Sequence, residues 1–320
     1  MTDTLVSLSL IALWSAIAIY TLAFIMFTLD FAKRSAWAQM AAAPAKVGSR
    51  ASGPAGTTLT VDQVDTTGGQ PPKFAFERIG FAVTVLGWLV HVGAVALRGF
   101  AQGYVPWSNM FEFSLTATAI IVGVFIAVQL WQNLRFLGAY ITGFAIIALG
   151  LATVNFYVEV KPIPPALQSA WLVVHVFVAV LGTSFFALGA GLSLMQLLQN
   201  RRDAAKIRGM KFLQTLPTAD VLENLAYRVI VVGFVFWTFT LMAGAIWAER
   251  SWGRYWGWDT KEVWTFIIWT IFAGYIHARA TRGWRGSRSA WLAIIGFIAV
   301  LFNFTVVNLF FKGLHSYSGL

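Results

Sequence analysis

Residues 6–29 read VSLSLIALWSAIAIYTLAFIMFTL, a run without a single charged side chain. A helix of about 20 apolar residues crosses the roughly 30 Å hydrocarbon core of a bilayer, so this run predicts a membrane-spanning helix. Further apolar runs of comparable length follow at 79–98, 110–131, 137–154, 170–198, 229–248, 261–279 and 290–310. The pattern predicts an all-α integral membrane protein with eight transmembrane helices.

The composition agrees with this fold class. Of the 320 residues, 58% are hydrophobic and 11% are charged, and the mean hydropathy is +0.70. A soluble domain carries about 25% charged residues, so a soluble enzyme is excluded. The chain has no cysteine, which excludes disulfides, thiolate metal sites and thiol redox chemistry by this chain itself.

The net charge of +10 would suggest a nucleic-acid partner in a soluble protein. In a membrane protein, basic residues collect in the cytoplasmic segments instead, and we expect no nucleic-acid partner. If the N-terminus lies outside, 17 of the 23 Lys and Arg residues fall in the inner segments 30–78, 132–136, 199–228 and 279–288. The asymmetry predicts that both termini face the outer, extracytoplasmic side.

The chain divides into three parts. Residues 1–35 contain the first transmembrane helix. No basic residue precedes its apolar run, which indicates a retained helix rather than a cleaved signal peptide. Residues 36–75 are rich in Ala, Gly, Pro, Thr and Ser and predict a flexible cytoplasmic linker. Residues 76–320 form a seven-helix domain with a Trp-rich outer loop at 249–264.

Four histidines are the main candidates for chemistry. On the predicted topology, His91 and His277 lie within the second and seventh spans, while His175 and His315 lie at the outer surface. An ionisable residue inside a bilayer is a candidate functional residue, although a neutral histidine bonded to a neighbouring helix remains an alternative. His91 and His277 differ in predicted depth by on the order of 10 Å, which argues against both binding one iron.

The segment WGRYWGWDTKEVW at 252–264 contains four tryptophans, Trp252, Trp256, Trp258 and Trp264. Flat aromatic faces beside two glycines suit a large planar apolar ligand, and Arg254 and Lys261 could pair with carboxylates on its rim. Haem has these properties, and its iron accepts imidazole.

Each feature of this segment also has a purely structural explanation. Tryptophan is common as an anchor at membrane interfaces. Asp259 followed by Glu262 has the form of a capping box at the start of the seventh helix, and this role is compatible with ligand binding by the same loop.

Taken together, these residues resemble a known family. The Trp-rich segment is similar to the tryptophan-rich WWD signature of haem-handling membrane proteins in cytochrome c maturation, in particular the CcsA/ResC type of System II, called CcsB in some naming schemes. The resemblance extends from about residue 79 to the end and includes VPWSNMFEF (105–113), LQSAWLVVHV (167–176), YIHAR (275–279) and LHSYSG (314–319).

This resemblance implies that haem b is carried across the membrane and presented for thioether attachment to the CXXCH segment of apocytochrome c. His175 and His315 would bind the iron beside the outer loop, in contact with Trp252, Arg254, Trp256, Trp258, Asp259 and Trp264, and His91 and His277 would accept haem inside the membrane. It also implies a CcsB/ResB-type partner, a separate thioredoxin-like reductant, and a bacterial plasma membrane location. The resemblance leaves open whether this chain is itself the catalytic subunit of a haem lyase.

Two other functions are compatible with parts of the sequence. A CcmC-type haem chaperone of System I shares the Trp-rich loop but has six spans. An ion or solute transporter would need acidic residues within its spans, and Glu112 is almost the only candidate. A structural anchor for another complex would leave the Trp-rich loop unexplained.

Overall fold

The computed structural model describes residues 1–41, 75–205, 213, 215–281, 284–311 and 313–315. The helices in these ranges are α1 (Thr2–Ala41), α2 (Phe76–Gln102), α3 (Met110–Val128), α4 (Gly138–Asn155), α5 (Ala170–Ala205), α6 (Ala219–Trp252), α7 (Thr260–Ala280), α8 (Ser287–Phe304) and α9 (Val306–Phe310). Helix α1 continues past the predicted boundary at residue 35, and the rest of the predicted linker lies outside the described residues.

The helices confirm an all-α integral membrane protein. Within the described ranges, seven helical segments are long and apolar enough to cross a bilayer, and α8 and α9 together form one of them. Helix α7 is long enough at 21 residues, but it carries acidic and basic side chains at its ends and is not among the seven. An eighth span at α7 and the sides of the two termini therefore stay predictions.

Helix α3 lies at the centre of the bundle. It packs against α2, α4 and α5 and so joins a group formed by α1, α2 and α4 to a group formed by α5, α6, α7 and α8. Of the residues in its most apolar stretch, 72% are buried inside the bundle, against 28% in the corresponding stretch of α1. A helix that is apolar on all sides suits such a central position, and the exposed apolar faces of α1 and α2 suit contact with lipid.

Close approach of backbones brings α5 and α6 together. A Cβ atom at Gly182 would lie 3.2 Å from the backbone nitrogen of Trp237 and 3.3 Å from the carbonyl oxygen of Gly233, and one at Gly189 would lie 2.3 Å from the side chain of Ile230. Small residues allow such contacts between membrane helices, where dispersion forces depend on close packing. This pairing positions His175 on α5 beside the last turns of α6.

A buried ion pair joins α2 to α3. Arg98 and Glu112 are each 1% exposed at the side chain and lie 3.0 Å apart. Glu112 also accepts hydrogen bonds from the backbone N–H and hydroxyl of Ser108, and Arg98 donates to the carbonyl of Val158. The acidic residue considered for an ion path is therefore held by a cation and by loop donors.

A second ionic cluster lies at the other end of the bundle. Arg279 on α7 pairs with Glu223 on α6 at 2.9 Å. Glu223 also accepts from the backbone N–H of Gly286, just before α8. One carboxylate thus connects α6, α7 and α8 at the predicted inner side.

Since the chain has no cysteine, single introduced cysteines can test the predicted orientation. Asp3→Cys and Lys161→Cys are expected to react with a membrane-impermeant maleimide in intact cells, because both positions are exposed and predicted to lie outside. Gln132→Cys and Asp220→Cys are exposed on predicted inner segments and should react only after permeabilisation. Labelling of all four in intact cells, or the reverse pattern, would contradict the orientation.

Candidate functional site

A cavity of about 240 Å³ lies among α3, α5, α6, α8 and the loop between α6 and α7. Its wall is mostly apolar and includes both histidines that are predicted to lie at the outer surface, His175 and His315. Further lining residues are Trp107, Trp237, Trp247, Tyr255, Trp256, Lys261, Glu262, Asn303 and Asn308. A mostly apolar, concave site with a few polar groups is typical of a small-molecule pocket.

His175 is held on α5 by contacts with α6. Its Nδ1 lies 3.1 Å from the carbonyl oxygen of Thr240. A carbonyl only accepts, so Nδ1 carries the proton and Nε2 keeps the lone pair that a metal requires. The ring stacks on Trp247, with centroids 5.7 Å apart and planes 14° apart. A Cβ atom at Gly244 would lie 2.7 Å from the ring, so glycine leaves the space that the imidazole occupies.

His315 is held by the residue that begins α7. Its Nδ1 lies 3.3 Å from Oδ1 of Asp259, and the other oxygen of Asp259 accepts from the backbone N–H of Leu314 at 2.8 Å. A Cβ atom at Gly313 would lie 2.3 Å from this carboxylate. The interaction with His315 and the N–H donors of Lys261 and Leu314 hold the pKa of Asp259 below its ordinary value. The carboxylate is therefore ionised at physiological pH.

Trp247 contacts both histidines and was missed by the sequence analysis. It stacks on His175 and meets His315 edge to face, with centroids 5.4 Å apart. Only 2% of it is exposed. It lies inside the sixth apolar run, where a tryptophan is easily taken for a packing residue, although its position one turn before the Trp-rich segment was an available signal.

The predicted capping box is confirmed at the start of α7. The Asp259 side chain accepts from the N–H of Lys261, and Oε2 of Glu262 accepts from the N–H groups of Asp259 at 3.0 Å and Gly257 at 2.8 Å. Trp258 has φ +59°, an uncommon value for a residue with a side chain. Glu262 thus organises the turn that contains Trp258.

The structure separates the residues predicted in the Trp-rich segment. Trp256 lines the cavity, whereas Trp252 meets His315 edge to face with centroids 4.7 Å apart. Trp264 packs against Phe302, and Trp258 is 76% exposed beside Trp256. These four tryptophans therefore have four different environments.

The two basic side chains of the Trp-rich segment also have different surroundings. Arg254 donates to the carbonyl of Gly257 at 3.1 Å and is not among the cavity-lining residues, whereas Lys261 lines the cavity. Only Lys261 is thus placed to meet a ligand there.

His91 and His277 have unlike surroundings. His91 on α2 is 0% exposed and its Nδ1 lies 3.2 Å from the hydroxyl of Tyr20 on α1. Its Nε2 makes no hydrogen bond in the described part of the chain. His277 is on an exposed face of α7. One is enclosed between helices and the other faces outward, so the structure gives no shared site for the pair.

Comparison with known proteins gives consistent matches. The family model described as "Cytochrome C assembly protein" matches residues 107–315, a range that begins at one cavity-lining residue and ends at another. The cytochrome c biogenesis protein CcsA of Guillardia theta is 34% identical over 259 residues, covering 76% of this chain and 86% of the relative. The CcsA proteins of Porphyra purpurea and Synechococcus elongatus are 31% and 33% identical, covering 78% and 75% of this chain and 90% and 87% of those relatives.

Replacing the capping carboxylate should release the segment that carries His315. In Asp259→Ala, the N–H of Leu314 loses its acceptor, and its amide is expected to exchange faster in hydrogen–deuterium exchange. Loss of a helix cap costs about 0.5–2 kcal/mol. Asp220→Ala, at the exposed start of α6, serves as the control and should leave the exchange of Leu314 unchanged. Equal protection of Leu314 in Asp259→Ala and the parent would contradict this arrangement.

Proposed function

The chain belongs to the cytochrome c assembly protein family and is of the CcsA type, and we propose that it presents haem, bound between His175 and His315, for covalent attachment to apocytochrome c. Cytochrome c biogenesis requires the handling of haem, which is here the cargo. The observation that supports this proposal most directly is that both histidines line one cavity with their Nδ1 atoms facing oxygen acceptors.

An oxygen acceptor close to Nδ1, at 3.1 Å for His175 and 3.3 Å for His315, is typical of histidines that bind metals. A ligating imidazole usually donates its other N–H to a carbonyl or a carboxylate, which fixes the tautomer and the orientation of the ring. Thr240 supplies the carbonyl for His175, and Asp259 supplies the carboxylate for His315. Both Nε2 atoms then keep the lone pair that an axial ligand to haem iron needs.

The wall of the cavity suits the macrocycle. Trp107, Trp256 and the apolar side chains of α3 and α5 offer surface to a porphyrin and exclude water. Tyr255 and Trp258 are exposed beside this site. We propose that apocytochrome c approaches over these two residues, on the outer side of the membrane.

Attachment needs little chemistry from this chain. Each cysteine of CXXCH adds its S–H across a vinyl C=C of the haem, forming one C–S and one C–H bond without net transfer of electrons. With no cysteine of its own, this chain cannot reduce a disulfide between the substrate cysteines to thiols by thiol exchange, and we assign that step to a separate thioredoxin-like protein. A CcsB/ResB-type subunit completes the proposed haem lyase, in which this chain is the haem-presenting membrane subunit.

We further propose that His91 and His277 accept haem b at different steps of its passage across a bacterial plasma membrane. Ionisable residues within spans are frequently functional. His277 is exposed on α7, so haem can reach it from the side of the bundle. His91 is enclosed beside Tyr20 of α1, so binding there requires the surrounding helices to move apart.

The alternative functions have less support. An ion path would use Glu112, but this residue is paired with Arg98 and is 1% exposed at its side chain. A CcmC-type chaperone shares the Trp-rich loop, and the relatives named above are CcsA proteins. We therefore retain the System II function.

The two proposed ligands can be tested by absorption spectroscopy. The purified protein, co-expressed with its partner, is expected to show the sharp α and β bands of six-coordinate b-type haem after reduction. His175→Ala and His315→Ala should each lose most of the bound haem, and added imidazole should restore it by filling the vacated coordination position. Lys161→Ala, at an exposed position outside the cavity lining and without a proposed role in haem binding, is the control and should keep these bands. Full haem content and an unchanged spectrum in the double variant would show that the assignment is wrong.

A further inference from the structure

One side of the cavity is polar. Lys261, in the first turn of α7, and Asn303 and Asn308, on α8 and α9, all line it. The Nζ of Lys261 donates to Oδ1 of Asn308. The side-chain Nδ2 of Asn308 in turn donates to the carbonyl of Phe304 at 2.7 Å. The three side chains form a cluster at the break between α8 and α9.

The charge of Lys261 is only partly compensated within this cluster. Among the ion pairs of the described residues, none contains Lys261, and its hydrogen-bond partner is a neutral amide. Asp259 attracts it electrostatically, but that carboxylate already serves His315 and two backbone N–H groups. Glu262 accepts from the loop backbone. A cation in an apolar site favours an anionic partner. The N-terminus of α7, which is the positive end of the helix dipole, also favours an anion beside it.

Asn303 offers a further hydrogen-bonding group on this side of the cavity. It is 6% exposed, and its Oδ1 is buried without a hydrogen-bond partner. A buried amide group without a partner is costly. Rotation of the amide by 180° exchanges its oxygen and nitrogen, so Nδ2 can donate to an acceptor placed in the cavity.

We propose that Lys261, together with Asn303 and Asn308, forms a carboxylate-binding subsite that selects a porphyrin with free propionates. This inference rests on the proposed function, because it assigns a role within the same cavity. Arg254 is excluded by its bond to the Gly257 carbonyl and its position outside the lining. The ammonium group has three donors, so a propionate can bind to it while Asn308 keeps one of them.

This subsite also orients the ligand. The two vinyl groups of haem lie on the pyrrole rings opposite the propionates. A propionate bound by Lys261 therefore fixes the orientation of the vinyl edge within the cavity. One charged side chain would thus select the cargo and direct its reactive edge.

The test compares haem with haem dimethyl ester, in which both propionates are neutral. The full chain in detergent is titrated with each, and the dissociation constants are read from the Soret band. The parent is expected to prefer haem, and Lys261→Met should reduce this preference by on the order of tenfold to a hundredfold. Lys261→Arg should keep most of the preference, and Lys161→Met, at an exposed position, should keep all of it. Different partitioning of the two probes into micelles cancels, because it is the same for every variant.

Three results would overturn this proposal, and they have different meanings. A full preference for haem in Lys261→Met, with the histidine-dependent spectrum intact, would show that the subsite is wrong while the proposed function stands. Equal weakening of both ligands would assign Lys261 a purely structural role. If the parent binds neither ligand through His175 and His315, the proposed function fails as well.

Discussion

The carboxylate of Asp259 is the group on which the site depends. It begins α7, accepts the N–H of Leu314 and faces Nδ1 of His315. The segment that carries His315 follows the short helix α9. Because one ionised side chain takes part in all three interactions, residues 313–315 are held beside the start of α7, and His315 is brought to the cavity that His175 also lines.

The pairing of buried polar side chains differs between the helix contacts and the cavity. Arg98 and Glu112 form a buried ion pair that also bonds to neighbouring loops. Glu223 and Arg279 form a second ion pair at the other end of the bundle. Such clusters hold helices together because each charge would be costly if left alone. In the cavity, by contrast, Lys261 has a neutral partner and Asn303 lacks one for its oxygen. The neutral partner of Lys261 leaves its charge available to the carboxylate of the proposed subsite.

Much of the architecture was predictable because a bilayer restricts what a chain can do. Apolar runs of the required length became helices, and the Asp259–Glu262 spacing became the capping box that it indicated. Less predictable was the break at Thr305, between α8 and α9, where no proline or glycine marks the interruption. The role of Trp247 was also hidden, because a tryptophan inside an apolar run has the same appearance whether it packs against helices or holds an imidazole.

The sequence by itself determined the fold class, the approximate ends of the helices and the kinds of residue available for chemistry. These follow from local properties, namely hydrophobic length, charge distribution and capping patterns. Only the tertiary structure decided that His175 and His315 share a cavity, that His91 and His277 have different surroundings, and that Lys261 rather than Arg254 lines that cavity. These outcomes depend on contacts between helices that are distant along the chain, and on which hydrogen-bond acceptor each side chain reaches first. No local pattern in the sequence encodes those distances.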